Sequence, residues 1–178
     1  FRPPPIPNLQ PTRSDHMMTD TDNIEALRAS KIGTELTPDQ CRLVAGAIRF
    51  RDLADGEVLL REGTSDNHLY VIVTGTLAVV RNPGNPEEVT MFVLSTGDLV
   101  GELSFIDGTE HYASLVSRGS TRVFGLEREQ LEAMLRTDPD AVYRVMRGII
   151  RTVHQIQRRL SMQQVELTNY IYKQHGRY

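Results

Sequence analysis

With Cys41 as its only cysteine, the chain can form no internal disulfide, and no His/Cys spacing around that residue offers a metal site. Cys41 sits in an apolar helical pattern and is expected to pack in the core. No stretch approaches the roughly 18–20 continuous apolar residues of a membrane helix, and the N-terminus lacks the apolar segment of a secretory signal. A membrane protein is therefore not expected, and the cytoplasm is the expected location. Also absent are a phosphate-binding P-loop, a nucleophile beside a base, paired carboxylates and a metal-ligand cluster; His68, His154 and His175 are isolated. These absences argue against an enzyme and against a required cofactor or metal.

What is present fits one domain and an appendage: 178 residues, of which 39% are hydrophobic, enough for a real core. The net charge of -3 is unevenly placed. Residues 1–140 carry 13 basic and 22 acidic side chains, a balance of -9, whereas residues 141–178 carry 7 and 1, a balance of +6. A basic tail can face an anionic partner, but on a helix it is more often a solvated outer face.

Five of the nine prolines, Pro3, Pro4, Pro5, Pro7 and Pro11, fall in the first seventeen residues, which show no helical or strand period. Residues 1–21 read as an extended proline-rich leader. The pair His16-Met17 matches a common cloning site, so a partly vector-derived leader with Met18 as native start is expected, and residues 1–17 carry no functional weight. From Asp22 the spacing of Ile24, Leu27 and Ile32 predicts a helix. Thr37-Pro38-Asp39-Gln40 then combines an N-cap, a first-turn proline and a capping-box partner, opening a second helix with Leu43, Val44 and Ile48 inward. Residues 49–126 read as β, with runs at 57–61, 69–73, 76–81, 89–94 and 122–126. Turn signals at Gly56, Gly63, Gly75, Gly97 and Gly119 separate them. Close-spaced short strands without intervening helices predict a β-barrel or jelly roll flanked by helices, over residues 22–138.

Asp138-Pro139 restarts a helix, and from Ala141 to about Gln174 there is no proline and Gly148 is the only glycine. This long helix, 139–174, is expected to dimerise. With Met146 at heptad position a, Met146, Val153, Leu160 and Leu167 form one row, and Ile149, Ile156, Gln163 and Tyr170 the facing row. A helix of about 34 residues spans roughly 50 Å, longer than a small barrel can cover, so its apolar stripe needs a partner, most simply a second copy; the alternative is a helix folded back along its own barrel, and Val142, Val145 and Ile150 widen the stripe and are expected to pack there. Arg144, Arg147, Arg151, Arg158 and Arg159 then lie off or beside the seam and are expected to be solvated. Gly148 costs about 1 kcal/mol relative to alanine in a free helix. It therefore marks a close approach, to a partner helix or to a ligand.

The order of helices, glycine-punctuated barrel, short helix and long helix resembles the cyclic-nucleotide-binding domains of bacterial catabolite-activator-type regulators and kinase regulatory subunits. Asp55-Gly56-Glu57-Val58-Leu59, Glu62-Gly63, Leu69-Tyr70-Val71-Ile72, Gly75 and above all Gly97-Asp98-Leu99-Val100-Gly101-Glu102-Leu103-Ser104 carry the resemblance, which covers residues 25–160. It implies that Gly101, Glu102, Leu103 and Ser104 line a ligand site, with backbone N–H groups cradling a cyclic phosphate and Glu102 accepting from the ribose 2′-hydroxyl. It also implies base contacts from the long helix, near Ile156 and Gln157, and Tyr70 and Phe105 as further candidates for the cavity wall.

One part of the pattern is missing. The family places an arginine about nine residues after the glutamate to grip the phosphate; here that position holds His111, followed by Tyr112 and Ala113. A mostly neutral imidazole lacks the guanidinium fork. Losing a bidentate charged contact costs about 1.5–3 kcal/mol, roughly ten- to hundredfold in affinity. Two readings stay open: a stand-alone sensor that binds a cyclic nucleotide, cyclic AMP first, or a related small ligand, and signals through its long helix to a separate protein; or a degenerate pocket on a homodimeric interaction module. A basic-helix nucleic-acid binder without sequence preference is a third. Only His175-Gly176-Arg177-Tyr178 follow the long helix, so no winged helix-turn-helix and no sequence-specific DNA recognition are expected.

Overall fold

The computed structural model describes residues 20–175; within the last helix, the side chains at 159, 160, 163, 164 and 166–175 lie outside that description. Helix α1 (Asp20–Ala29), a 3-10 turn at Gly33–Glu35 and α2 (Pro38–Ala45) precede six strands. The strands are β1 (Ile48–Leu53), β2 (Val58–Leu60), β3 (His68–Arg81), β4 (Val89–Ser95), β5 (Leu99–Val100) and β6 (Ser114–Glu127), with the short α3 (Glu102–Asp107) between the last two. Then come α4 (Arg128–Ala133), a second 3-10 turn and the 37-residue α5 (Pro139–His175).

All strand pairs are antiparallel, in the order β1-β6-β3-β4, with β2 beside β6 and β5 beside β3. The architecture is mainly β with flanking helices, a jelly-roll arrangement whose sheet does not close on itself. Two runs expected at 69–73 and 76–81 are one strand with register shifts near Thr74 and Thr76, and 122–126 is the end of a 14-residue strand. Ile48, expected inside α2, opens β1, because α2 already ends at Ala45, capped by Gly46.

The helix starts follow the predicted chemistry. Gln40 N–H donates to Thr37 Oγ1 at 3.3 Å, and Thr37 N–H donates to Gln40 Oε1 at 3.1 Å, so two N–H groups that the helix leaves unbonded are satisfied. The Gln40 amide also donates to Asp140 at 2.8 Å, tying α2 to the start of α5. Asp138 caps α5 by accepting from Ala141 N–H at 2.9 Å. Cys41 is buried, as expected.

The main core gathers Leu27, Ile32, Val44, Leu69, Phe105 and Phe124 from helices and strands alike, together with Val142, Val145 and Ile149 of α5. The first half of α5 thus docks on its own chain. Burying each such side chain is worth about 1.5–3 kcal/mol, which a lone helix in water lacks. Ile149, expected at a dimer seam, is fully buried within this core, and Met146 and Val153 pack partly against it. Gly148 is explained by neither a partner helix nor a ligand. A Cβ there would stand 3.2 Å from Ile32 Cα and 3.5 Å from Lys31 O, so α5 meets the chain between α1 and the 3-10 turn.

Three of the arginines expected to be solvated are engaged at that same contact. Arg147 and Arg151 both pair with the carboxylate of Glu35, whose side chain is only 9% exposed, and Arg144 donates to Glu35 O at 3.2 Å and to Asp140 at 2.6 Å. The hydrogen bond from Arg147 leads, against the opposing effect of burial, in holding the Glu35 carboxyl below the ordinary glutamate value. A carboxyl lowered on folding adds stability above its unfolded pKa and loses it as pH falls through the folded value. Chemical unfolding of the parent is therefore expected to weaken with acid below the glutamate range, and Glu35→Gln to flatten that part of the profile; parallel profiles for the two proteins would refute the linkage.

Candidate functional site

Gly101 stands at the end of β5 with φ 82°, in the left-handed region, and a Cβ there would lie 2.8 Å from His68 O. Only glycine meets both conditions without strain. It turns the chain abruptly from strand into α3, whose first intrahelical hydrogen bond is Phe105 N–H to Gly101 C=O at 2.9 Å. The preceding N–H groups, at Glu102, Leu103 and Ser104, have no acceptor within the helix.

Beside this turn lies a cavity of about 190 Å³. One wall is Asp98 through Leu103; a second is Glu110, His111, Tyr112 and Ala113 in the segment before β6, with Leu115 of that strand; the floor is Leu60, Val79, Phe92 and Leu94; Lys31 and the α5 residues Thr152, Gln155 and Ile156 close it. Strand, short helix and long helix therefore meet one volume.

Six of the predicted ligand residues, Gly101, Glu102, Leu103, His111, Tyr112 and Ala113, line this cavity. Two do not. Ser104 is fully buried, and its hydroxyl donates to Asp66 O and accepts from Asp66 N–H, each at 2.7 Å, so it fastens α3 to the loop before β3. Gln157 is exposed and off the cavity, whereas Gln155 lines it. Thr152, Gln155 and Ile156 are spaced i, i+3, i+4 on one helix face, and one further residue turns Gln157 about 100° away. Ile156, placed at a dimer seam by its heptad position, lines the cavity. The side chains of Leu160 and Leu167 lie outside the described residues. Tyr70 and Phe105 belong to the core, while Leu103 does reach the cavity.

Lys31, Asp98, Glu110, Thr152 and Gln155 join the site without having been predicted for it. Asp98 belongs to the motif at 97–104 but reads there as a turn signal, and the helical period of α5 points to Thr152 and Gln155 once Ile156 is considered. Lys31 has no local signal, because it reaches the site across the fold: its Nζ lies 3.3 Å from Asp98 Oδ1.

The electrostatics of the cavity depart from simple solution values. Burial raises the Glu102 carboxyl, with its own backbone N–H opposing. Burial lowers His111, against the charge of Asp66, and so favours its neutral imidazole. The Tyr112 hydroxyl is raised by burial and then by the charge of Glu102. His111 Nε2 is buried without a hydrogen-bond partner among the described residues. The backbone around it is held on both sides, by Gly63 N–H to His111 O and His111 N–H to Thr64 O, each at 2.8 Å. Among the described residues no group of side chains is arranged to hold a metal ion, and no helix is long and apolar enough to cross a membrane.

Residues 50–138 match the family model described as a cyclic nucleotide-binding domain. The cyclic AMP receptor protein of Thermus thermophilus is 27% identical over 64% of this chain and 52% of its own, so the present chain spans about half of that relative. A cyclic nucleotide-binding domain from Methylobacillus flagellatus superposes with a TM-score of 0.68 at 23% identity, over 79% of each chain. The regulatory subunit of a cAMP-independent protein kinase A from Trypanosoma brucei does so with a TM-score of 0.65 at 23% identity, over 82% of this chain and 49% of its own.

Proposed function

The chain belongs to the cyclic nucleotide-binding domain family, and from that membership we propose that it is a ligand-sensing regulatory domain whose cavity takes a cyclic nucleotide or a related small ligand and passes occupancy to α5. One observation carries this reading: the Gly101–Leu103 turn, the His111–Ala113 segment and Thr152, Gln155 and Ile156 of α5 border the same volume. A molecule that fills the space between the first two also faces the helix. Nothing in this role calls for a catalytic residue. Cyclic AMP is the first ligand to try, since the Thermus relative is described as its receptor. The Trypanosoma neighbour is described as cAMP-independent, so the fold does not dictate the ligand.

Transmission has a physical route. Lys31 lines the cavity and pairs with Asp98; four residues on, Glu35 holds Arg147 and Arg151. A ligand that displaces Lys31 from Asp98 pulls on a segment whose other end grips α5. The output goes to a separate protein or through a second copy. In support of a two-fold partner, Tyr143 and Ile150 are exposed and stand beside the partly buried Met146 and Val153, a stripe with 3-4-3 spacing.

Calorimetry of the purified chain against cyclic AMP and cyclic GMP tests the site, with Glu102→Ala as the variant. The variant is expected to lose at least about tenfold in affinity. Removing a half-buried carboxylate with no ion pair among the described residues does not cost folding stability, so unfolding midpoints should match. Equal affinity in the two proteins would remove Glu102 from the site.

A further inference from the structure

We propose that the cavity selects an uncharged, hydroxyl-bearing ring compound, a nucleoside, over the phosphate-bearing nucleotide of the same base. This rests on the reading that the cavity is the ligand site, and it follows from the charges that line it. Among the described residues that line it, three are carboxylates, Asp98, Glu102 and Glu110, one is a cation, Lys31, and none is an arginine. Lys31 is already engaged, 3.3 Å from Asp98 Oδ1, so its charge is offset inside the cavity. The remaining candidate cation, His111, is disfavoured as an imidazolium by burial, against the opposing charge of Asp66. An entering phosphate would therefore meet an acidic wall with no free cation among the described residues to balance it, and desolvation on entry would sharpen the repulsion.

The same groups suit a neutral ligand. Glu102, half-buried and without an ion pair among the described residues, is an acceptor in need of an O–H donor such as a sugar hydroxyl. His111 Nε2, buried and unpartnered, takes a single neutral hydrogen bond as donor or acceptor according to tautomer. Opposite them, Val79, Leu94, Leu99 and Ile156 offer apolar surface to a flat ring. Glu102 and His111 thus each find a neutral partner on a nucleoside, and neither requires a phosphate.

Calorimetry and thermal shift with the full chain, using adenosine, guanosine, cyclic AMP and cyclic GMP, decide the matter. For at least one base the nucleoside is expected to bind at least about tenfold more tightly than its cyclic nucleotide. Cyclic nucleotide binding as tight as the nucleoside or tighter overturns the proposal while leaving the cavity as the ligand site. No heat and no thermal shift with any of the four at about 5 mM overturns both. Two variants test the cause: His111→Arg adds a cation, and Glu110→Gln, at an exposed position, removes an anion without disturbing packing. Both are expected to tighten cyclic nucleotide binding, by about tenfold for His111→Arg and by less for Glu110→Gln, and Glu110→Gln is expected to leave nucleoside affinity unchanged. If neither does, charge is not the discriminator and the proposal fails.

Discussion

Replacing Ile149 by alanine is expected to destabilise the folded chain by about 2–5 kcal/mol, because the side chain is fully buried and its removal leaves a cavity that the surrounding core fills only in part. It belongs to the core cluster that also holds residues of α1, the sheet and α3, so the loss falls on the union of α5 with the rest of the molecule. The transition midpoint of Ile149→Ala, measured in denaturant, should move to lower concentration. That shift should not depend on protein concentration, since Ile149 packs against residues of its own chain. Ile150→Ala is the control: its side chain is 49% exposed, and within a single chain it should cost well under about 1 kcal/mol. A shift for Ile149→Ala that shrank on dilution, or equal losses for the two variants, would place Ile149 between chains after all.

Gly33→Ala is the second large effect. A Cβ on Gly33 would fall 1.9 Å from Leu27 O, 2.5 Å from Leu27 C and 2.8 Å from Arg28 Cα. All three are backbone atoms, so no rotamer change relieves the overlap, and the end of α1 or the 3-10 turn must move. Overpacking at such a site costs about 3 kcal/mol or somewhat more. The displaced segment carries Lys31 at one side and Glu35 at the other, so both the Lys31–Asp98 pair and the grip on Arg147 and Arg151 should loosen together. Unfolding midpoints give the first effect, and faster amide exchange along the first half of α5 gives the second. A variant with parental stability and exchange would show that the turn relaxes without consequence.

Glu35 and the arginines show where a reading along the chain runs out. By heptad position Arg147 and Arg151 belong on an outer face, and on an isolated helix they would be solvated. They are engaged because Glu35, more than a hundred residues earlier, is delivered to them by a turn that Gly33 and Gly148 allow to come close. Likewise the period of α5 correctly reports an apolar stripe, but a period cannot say which molecule covers it. Val142, Val145 and Ile149 are covered by the chain's own core.

Local chemistry is legible wherever it is self-contained. The Thr37/Gln40 capping box, the Asp138 cap with Pro139 and the glycine turns each depend on a few adjacent residues, and each stands in the structure. The Gly101-Glu102-Leu103 turn is of the same kind, since a positive φ between strand and helix is written in the glycine itself. The cavity is of the other kind. Lys31 reaches Asp98 over 67 positions, Gln155 rather than Gln157 faces inward, and Ser104 turns its hydroxyl to Asp66. The charge balance at the site emerges only when these segments are brought together. Backbone conformation is governed by near neighbours and so can be read in order along the chain, whereas burial, ion pairing and the polarity of a cavity are set by residues distant in sequence, which only the folded chain places in contact.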